Sequence, residues 1–380
     1  MRSVIAALAL LTASCIGVTA EKGGVALDIY YIDTEGGQST LFVGPTGESL
    51  LVDTGNAGER DLSRIAETLR GAGVSRIDHM WTTHFHGDHV GALLELARQF
   101  PVQHFHDHGT PNPKDRIVSA AFMNAYADLS QGKRSILKPG DKVKMGGLDI
   151  TTVASANQYI RKNLKGGGGA NAACAQVKPM DESTYFDPDN GESAGFVLAY
   201  GRFRTADLGD LTWNGELDLM CPVNRIGTVD VYLTSHHGLE KSGSPALVHA
   251  LQPRVAVMNN GTRKGGDTNV FRTLFASPGL EDLWQLHWSW NARLENAPAM
   301  FIANLDDNAT IAGVLTQPAA APPRGAGGPP AGFGGPGGPG GPAAAAHSPA
   351  YLIKVSAQRD GTFTVTNTRN GFSKTYSPRH

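Results

Sequence analysis

The sequence predicts an α/β fold of stacked layers, and three observations lead there. Residues 25–55 contain three short runs of strand character, L-D-I-Y-Y-I-D, S-T-L-F-V-G and S-L-L-V-D-T-G, separated by turn residues such as P-T-G-E. Residues 61–71 then change period, with Leu62, Ile65, Ala66 and Leu69 on one face of a helix. Strand-like runs return at 77–83, 196–210, 229–234 and 255–259 with helical stretches between them, the alternation that layered α/β proteins require.

The chain has 380 residues, of which 41% are hydrophobic and 18% charged, enough for one large or two modest domains. Its formal net charge of -2 provides no field to attract a polyanion, so composition gives no strong nucleic-acid signal. Residues 1–20 combine Arg2, an apolar stretch from Val4 and V-T-A before Glu21, which reads as a secretory signal peptide and places the protein in the periplasm or outside the cell. Cys15, after T-A-S, leaves lipid attachment as the weaker alternative. No other segment is long and apolar enough to be a transmembrane helix. Loss of the leader leaves Cys174 and Cys221 in an oxidising compartment, as a disulfide, as free thiols, or with Cys174 near a metal.

The meander of residues 25–55 forms a first sheet that the 61–71 helix covers. Residues 77–83, I-D-H-M-W-T-T, read as the next buried strand, and it leads into the decapeptide T-T-H-F-H-G-D-H-V-G at 82–91. Within it His84, His86, Asp88 and His89 offer the imidazole and carboxylate ligands that zinc prefers. His84 and His86 are two apart in extended backbone and so point to one side. Gly87 permits a sharp turn, and Asp88 and His89 begin a helix, expected to run through residues 90–100, that aims them back over the strand end. A polar surface loop that merely contains histidines is the bland alternative, but strand end, turn glycine and helix start all agree on a metal site.

H-F-H-G-D-H resembles the H-x-H-x-D-H signature of the metallo-β-lactamase fold superfamily. L-L-V-D-T-G at 50–55 is similar to that family's first motif, L-G-D-L at 208–211 to the motif carrying a bridging Asp, and S-H-H-G at 235–238 to its last ligand motif, so the resemblance covers residues 27 to about 260. It implies an αββα four-layer sandwich with one or two ions, Zn2+ or alternatively Mn2+, at the edge between the sheets. It implies His84, His86, Asp88, His89, Asp210 and one of His236 and His237 as ligands; strand alternation lets only one of the two face the metals, and His237, which adjoins Gly238, is favoured, with His236 donating a hydrogen bond or contacting substrate. Asp53 would stand behind the ligands, and Asp88 would also orient the attacking water. Asp207 competes with Asp210 for the bridging place. The chain departs from the family in having no His between Gly109 and Ser235, where a third ligand for the first ion is common. That first site, His84, His86 and Asp210, would be completed by water or by Asn171, Glu192 or Ser193, and a one-metal centre is the alternative.

Further along, residues 101–109 read as another strand, with His104, His106 and His108 near the cleft rim rather than ligating. Residues 120–129 read as a helix and 141–153 as a hairpin turning at Gly146-Gly147. Residues 165–190 carry only loop signals, and 196–210 read as two strands around Gly201 that end in carboxylates. Residues 242–251 read as a short helix and 255–259 as the last strand, while W-Q-L-H-W-S-W at 284–290 reads as core in preference to a cleft wall. His249, His287, His347 and His380 have no partner motifs and read as structural or exposed. Residues 317–349, with G-G-P repeats, form a disordered insert between the main domain at 21–316 and a C-terminal β-hairpin at 350–380 that docks back on it.

The implied activity is hydrolysis by activated water. The S-H-H-G ending, the Gly-Asp motif and the missing histidine resemble the hydrolase-like domain of bacterial DNA-uptake competence proteins, which favours a phosphoester or phosphodiester substrate. Another ester, a lactone or a β-lactam on the same site is one alternative, and a non-catalytic, metal-poor envelope binding protein is the other.

Overall fold

The computed structural model describes residues 26–115, 118–181, 188–317 and 346–379. The expected leader with Cys15, and residues 318–345 of the expected insert, lie outside them. Two large sheets lie face to face. In the first, Leu27–Tyr31 pairs antiparallel with Thr40–Val43 and that strand with Ser49–Val52, after which Ile77–Trp81, Val102–Asp107 and Arg134–Ile136 join in parallel. The second runs Lys142–Met145, Leu148–Ser155, Gly195–Tyr200 and Phe203–Asp207 antiparallel, then Val231–Leu233, Val255–Met258, Asp282–His287 and Ile302–Asn304 in parallel.

The inner core explains why the sheets stack. Leu27, Ile29 and Tyr31 alternate inward from one strand and meet Phe42, Trp81, Phe196, Leu198 and Trp284 from the others. The Phe196 ring lies 4.8 Å from that of Trp81 and 5.9 Å from that of Phe42, and the Trp81 indole donates to the Ala194 carbonyl at 2.7 Å, fastening one sheet to the other. The helices Glu59–Gly71, Leu93–Gln99 and Ala120–Ser130 cover the outer face of the first sheet. Trp213–Met220, Pro245–Leu251 and Thr268–Phe275 cover that of the second. The result is the αββα four-layer sandwich.

Three expectations about elements need correction. The helix read at 90–100 is two pieces, Gly87–Val90 and Leu93–Gln99, because the chain at Gly91 runs against the backbone at 55–57. The Gly91 N–H donates to the Gly55 carbonyl at 2.8 Å, and a Cβ there would run into the Ala57 nitrogen. The strand at Val255–Met258 is not the last, since Asp282–His287 and Ile302–Asn304 follow it; an aromatic run buried on both faces lacks the alternation that marks a strand. Within that run Trp284 and Trp288 are buried, as the core reading expected, while Trp290 is partly exposed and stacks beneath the Arg263 guanidinium. The C-terminal hairpin, Ile353–Ala357 and Phe363–Asn367, carries a third strand, Ser373–Tyr376, and extends the first sheet through Ile29↔Val355 pairing. Among the described residues no helix is long and apolar enough to cross a membrane.

His347 fastens this C-terminal extension. Its Nε2 lies 3.2 Å from Asp306 Oδ1, its N–H donates to Glu35 Oε1 at 3.0 Å, and its carbonyl accepts from Arg64 at 2.6 Å. The Asp306 and Glu35 carboxylates hold the imidazolium up at about 9, above its ordinary 6.5. A folded value above the unfolded one contributes stability in full below about pH 6.5, and that stability disappears as pH rises through about 9. The wild type is therefore expected to melt higher than His347→Gln at about pH 6, with the gap closing by about pH 10. Melting curves across that range check this, and a gap independent of pH would rule the imidazolium out.

Candidate metal centre

The centre forms where strands of both sheets end. Ser49–Val52 and Ile77–Trp81 are parallel with Val52 beside Trp81, so Asp53 and the 82–86 segment leave the first sheet together. Asp53 adopts a left-handed conformation, φ 57°, which turns its carboxylate across the neighbouring chain. It accepts from the Thr83 N–H at 2.8 Å and the Thr83 hydroxyl at 2.6 Å, and it pairs with His89 Nδ1 at 2.7 Å. Asp189 fixes the same segment from below by accepting from the Phe85 N–H at 2.7 Å. From the second sheet, Phe203–Asp207 leads to Asp210 and Val231–Leu233 leads to the turn Ser235–Gly238. The His236 N–H donates to the Gly209 carbonyl at 3.1 Å, joining those two strand ends. Glu216 accepts from the N–H groups of Gly243 and Ser244 at 2.7 Å each, holding the chain that follows the turn.

Asp210 is the hub. Its Oδ2 lies 3.3 Å from Nε2 of both His89 and His237, 3.6 Å from that of His236 and 4.0 Å from that of His84. Asp88 Oδ2 lies 3.2 Å from His237 Nε2 and 3.6 Å from His89 Nε2, and these two nitrogens are 3.3 Å apart. One ligand atom from each of Asp88, His89, Asp210 and His237 thus falls within 4.8 Å of all the others. His84 Nε2 and Asp210 Oδ1 are buried with no hydrogen-bond partner among the described residues. Buried polar atoms without partners are costly, and convergent lone pairs of this chemistry suit a divalent cation, so the residues fit the metal that the fold family implies. Asp53 on Nδ1 orients the ring so that His89 Nε2 faces the centre.

The charges reinforce one another. Burial works to raise the Asp210 carboxyl, but His237, His89 and His236 hold it well below the usual carboxylate range. Burial works against charge on His89, yet Asp210, Asp88 and Asp53 lift its imidazole well above the usual value. His84 goes the other way, since burial and then His89 and His86 hold it well below.

Of the residues singled out in the sequence, the structure brings together His84, Asp88, His89, Asp210 and His237, with His236 at the margin. The His236 Nε2 also meets the Asn190 amide nitrogen at 3.2 Å and its Nδ1 meets the Ser242 hydroxyl at 3.3 Å. Strand alternation does not choose between His236 and His237, because the strand stops at Leu233 and both lie in a turn at φ 54° and 55°. His86 stands apart from the group: its ring is 4.6 Å from that of His84, but its Nε2 lies 2.9 Å from Asp115 Oδ2. Asp207 turns to the Gln38 amide, and burial pushes its carboxyl up to about 7.

The residues considered for the missing ligand lie elsewhere or are engaged. Asn171 donates to the Met220 and Ala246 carbonyls, Glu192 accepts from Asn112, and the Ser193 hydroxyl accepts from the Asp210 N–H. Asn190 was not anticipated; its Oδ1 is buried and without a partner among the described residues, and an Asn inside a D-P-D-N-G turn signal reads only as loop. Lys264 was also missed, and its ammonium is ion-paired with Asp88. Of the rim histidines, His106 meets His79 at 3.0 Å and His104 stacks on His79. His108 is buried, 3.6 Å from Asp189 and 3.7 Å from Glu192. Cys174 and Cys221 form a disulfide, which resolves the open alternatives for these thiols.

Residues 33–137 match the sequence model of the metallo-beta-lactamase superfamily. An atrochrysone carboxyl ACP thioesterase of Pseudocercospora fijiensis is 38% identical over 84 residues, 22% of this chain and 24% of its own length. The lactamase-like protein notP of Aspergillus sp. strain MF297-2 is 40% identical over 65 residues, 17% of this chain and 20% of its own. The matching stretch is therefore about a quarter, or less, of the length of these relatives. Among solved structures, the subclass B3 metallo-beta-lactamase MEM-A1 from a soil metagenome library aligns over 65% of this chain and 81% of its own, at 14% identity and a TM-score of 0.36.

Replacing Asp53 by Asn removes the charge and one of the two oxygens that between them meet the Thr83 N–H, the Thr83 hydroxyl and His89. The Asp53→Asn variant is expected to lose about 1–3 kcal/mol of stability by urea denaturation. Chelator competition is expected to show metal held about 10–100-fold less tightly. Unchanged values in both would mean that Asp53 does not orient His89.

Proposed function

The chain belongs to the metallo-beta-lactamase superfamily over the segment that carries its histidine-rich loop, and from that premise we propose that it is a metal-dependent hydrolase exported to an oxidising compartment. The observation that carries this reading is the convergence of Asp88, His89, Asp210 and His237 within 4.8 Å. These four would hold a divalent ion, zinc in the first place and manganese as the alternative, with His84 adding a nitrogen at the inner end. When bound, such an ion supplies Lewis acidity and brings the ionisation of water near neutrality. The protein's own part is geometric and electrostatic. Asp53 orients the His89 ring, Asp88 orients the attacking water, and Asn190 meets His236 beside Asp210. His86 joins as a ligand only by exchanging Asp115 for the ion.

A phosphoester or phosphodiester is the first choice of substrate, supported by the S-H-H-G and Gly-Asp motifs and the missing histidine. The second reading is an acyl substrate, an ester, thioester, lactone or β-lactam, favoured by the stretch shared with the thioesterase of P. fijiensis. Export is supported by the leader-like residues 1–20 together with the Cys174–Cys221 disulfide.

Purified protein is expected to carry about one or two equivalents of transition metal, and Asp210→Ala and His237→Ala fewer than about half an equivalent. Turnover of bis-p-nitrophenyl phosphate, a thioester, a lactone and a chromogenic cephalosporin then separates the two substrate classes. Metal retained in both variants overturns the ligand assignment. No metal and no turnover in the wild type would leave a non-catalytic binding protein.

A further inference from the structure

His108, Asp189 and Glu192 form a group of metal-type ligands that shares no residue with the strand-end centre. We propose that it is a separate site for one exchangeable divalent ion, zinc or manganese, which braces the segment carrying His84 and His86. The site stands on its own residues, whether or not the strand-end centre is filled.

The His108 side chain is fully buried, and neither ring nitrogen has a hydrogen-bond partner among the described residues. Its Nε2 lies 3.6 Å from Asp189 Oδ2 and its Nδ1 lies 3.7 Å from Glu192 Oε2, with those side chains 2% and 15% exposed. A neutral imidazole has one N–H and one lone pair, so one nitrogen would turn a lone pair on an acceptor oxygen. An imidazolium would remove that clash by closing up on the carboxylates, as histidines elsewhere in this chain do: His89 lies 2.7 Å from Asp53, His86 2.9 Å from Asp115 and His287 2.6 Å from Asp33. At His108 both gaps stay too wide for a hydrogen bond. They come close to the separation of two ligand atoms on one tetrahedral ion with bonds of about 2.0–2.2 Å, which is roughly 3.3–3.6 Å. An ion on one nitrogen leaves the other to carry its proton towards the remaining carboxylate.

One atom from each of the three side chains falls within 4.8 Å of the others, and one imidazole with two carboxylates is a donor set that suits zinc or manganese. His108 follows the strand Val102–Asp107 of the first sheet, while Asp189 and Glu192 lie on either side of Asn190 just before Gly195–Tyr200 of the second. Asp189 also accepts from the N–H groups of Phe85 and Asn112 at 2.7 and 2.8 Å, so an ion here would join both sheets beside the 84–86 segment. Those donors, with the Asn112 amide on Glu192 Oε1 at 2.8 Å, already draw on the carboxylate oxygens. With its protein ligands so engaged, the ion is held loosely, exchanges with solvent and leaves on desalting.

The test is a calorimetric titration of the metal-stripped, full-length Asp210→Ala protein with zinc and separately with manganese, since that change removes the hub of the strand-end centre; His237→Ala is the second background. Into each, Glu192→Gln is introduced to remove a charge while keeping an acceptor for Asn112, and His108→Phe to keep a ring while removing both nitrogens. Circular dichroism melts confirm folding, and where His108→Phe does not fold, Glu192→Gln carries the comparison. One ion is expected to bind each parent reversibly and to raise its melting temperature. Loss of a direct ligand weakens binding at least as much as disturbing an outer partner does, so the added substitutions are expected to cost about 10–100-fold in affinity and to abolish the melting shift. Two outcomes overturn the site: no ion bound by either parent, which would make His108 a buried imidazolium, or binding that neither added substitution weakens.

Discussion

One buried carboxylate organises this molecule. Asp210 lies at the end of the second sheet with His89, from the first sheet, and His237, from its own, both at 3.3 Å. A lone ion in such a place would cost several kcal/mol in lost hydration, roughly, so its burial requires charge of the opposite sign brought to it from more than one direction. That requirement is met only if the two sheets hold a fixed separation and offset. The inner core supplies both, through Trp81 and Phe196, whose rings are 4.8 Å apart, and the Trp81 indole bond to Ala194. Packing far from the centre is therefore part of its electrostatics, because a shift of the sheets would lengthen the contact from His89 that helps to keep Asp210 ionised.

The supporting bonds repeat that logic on a smaller scale. Asp53 is buried, and its oxygens are taken up by the Thr83 backbone, the Thr83 hydroxyl and His89. Asp189 does the same for Phe85 and Asn112, and Glu216 for Gly243 and Ser244. Three acidic side chains thus hold three loop segments by accepting backbone hydrogen bonds, which loops lack when they have no ladder of their own. The centre is assembled from loops, but the loops are held almost as firmly as strands.

Much of this was legible from residues alone. The strand runs, the helix over 61–71 and the ligand character of the 84–89 loop follow from period, turn chemistry and ligand type, which are local properties, while the joining of 210 and 237 to that loop was an implication of the family resemblance. What could not be read is non-local. His86 carries the same chemistry as His84 but faces Asp115, 29 positions away in sequence. Asn190 and Lys264 belong to no metal motif, and their significance comes only from what the fold places beside them. The break at Gly91 and the strand at Asp282–His287 escaped for a related reason, since each is dictated by a neighbour distant in sequence. The expectation that only one of His236 and His237 would face the metals rested on strand alternation, which ends where the turn begins.

That turn points to how such a centre is maintained. His236 and His237 are consecutive non-glycine residues in the left-handed region, at φ 54° and 55°, and Asp53 is a third, at φ 57°. Each such conformation costs about 1–3 kcal/mol and persists only where surrounding contacts over-determine it. Here they do: the Gly209 carbonyl holds the His236 N–H, the Gly266 N–H holds the His237 carbonyl, and the Trp81 carbonyl holds the Asp53 N–H. Relaxing any of the three to ordinary backbone would swing its side chain out of the group around Asp210. At these three positions the strain falls on residues that serve the centre, and ordinary hydrogen bonds keep it there.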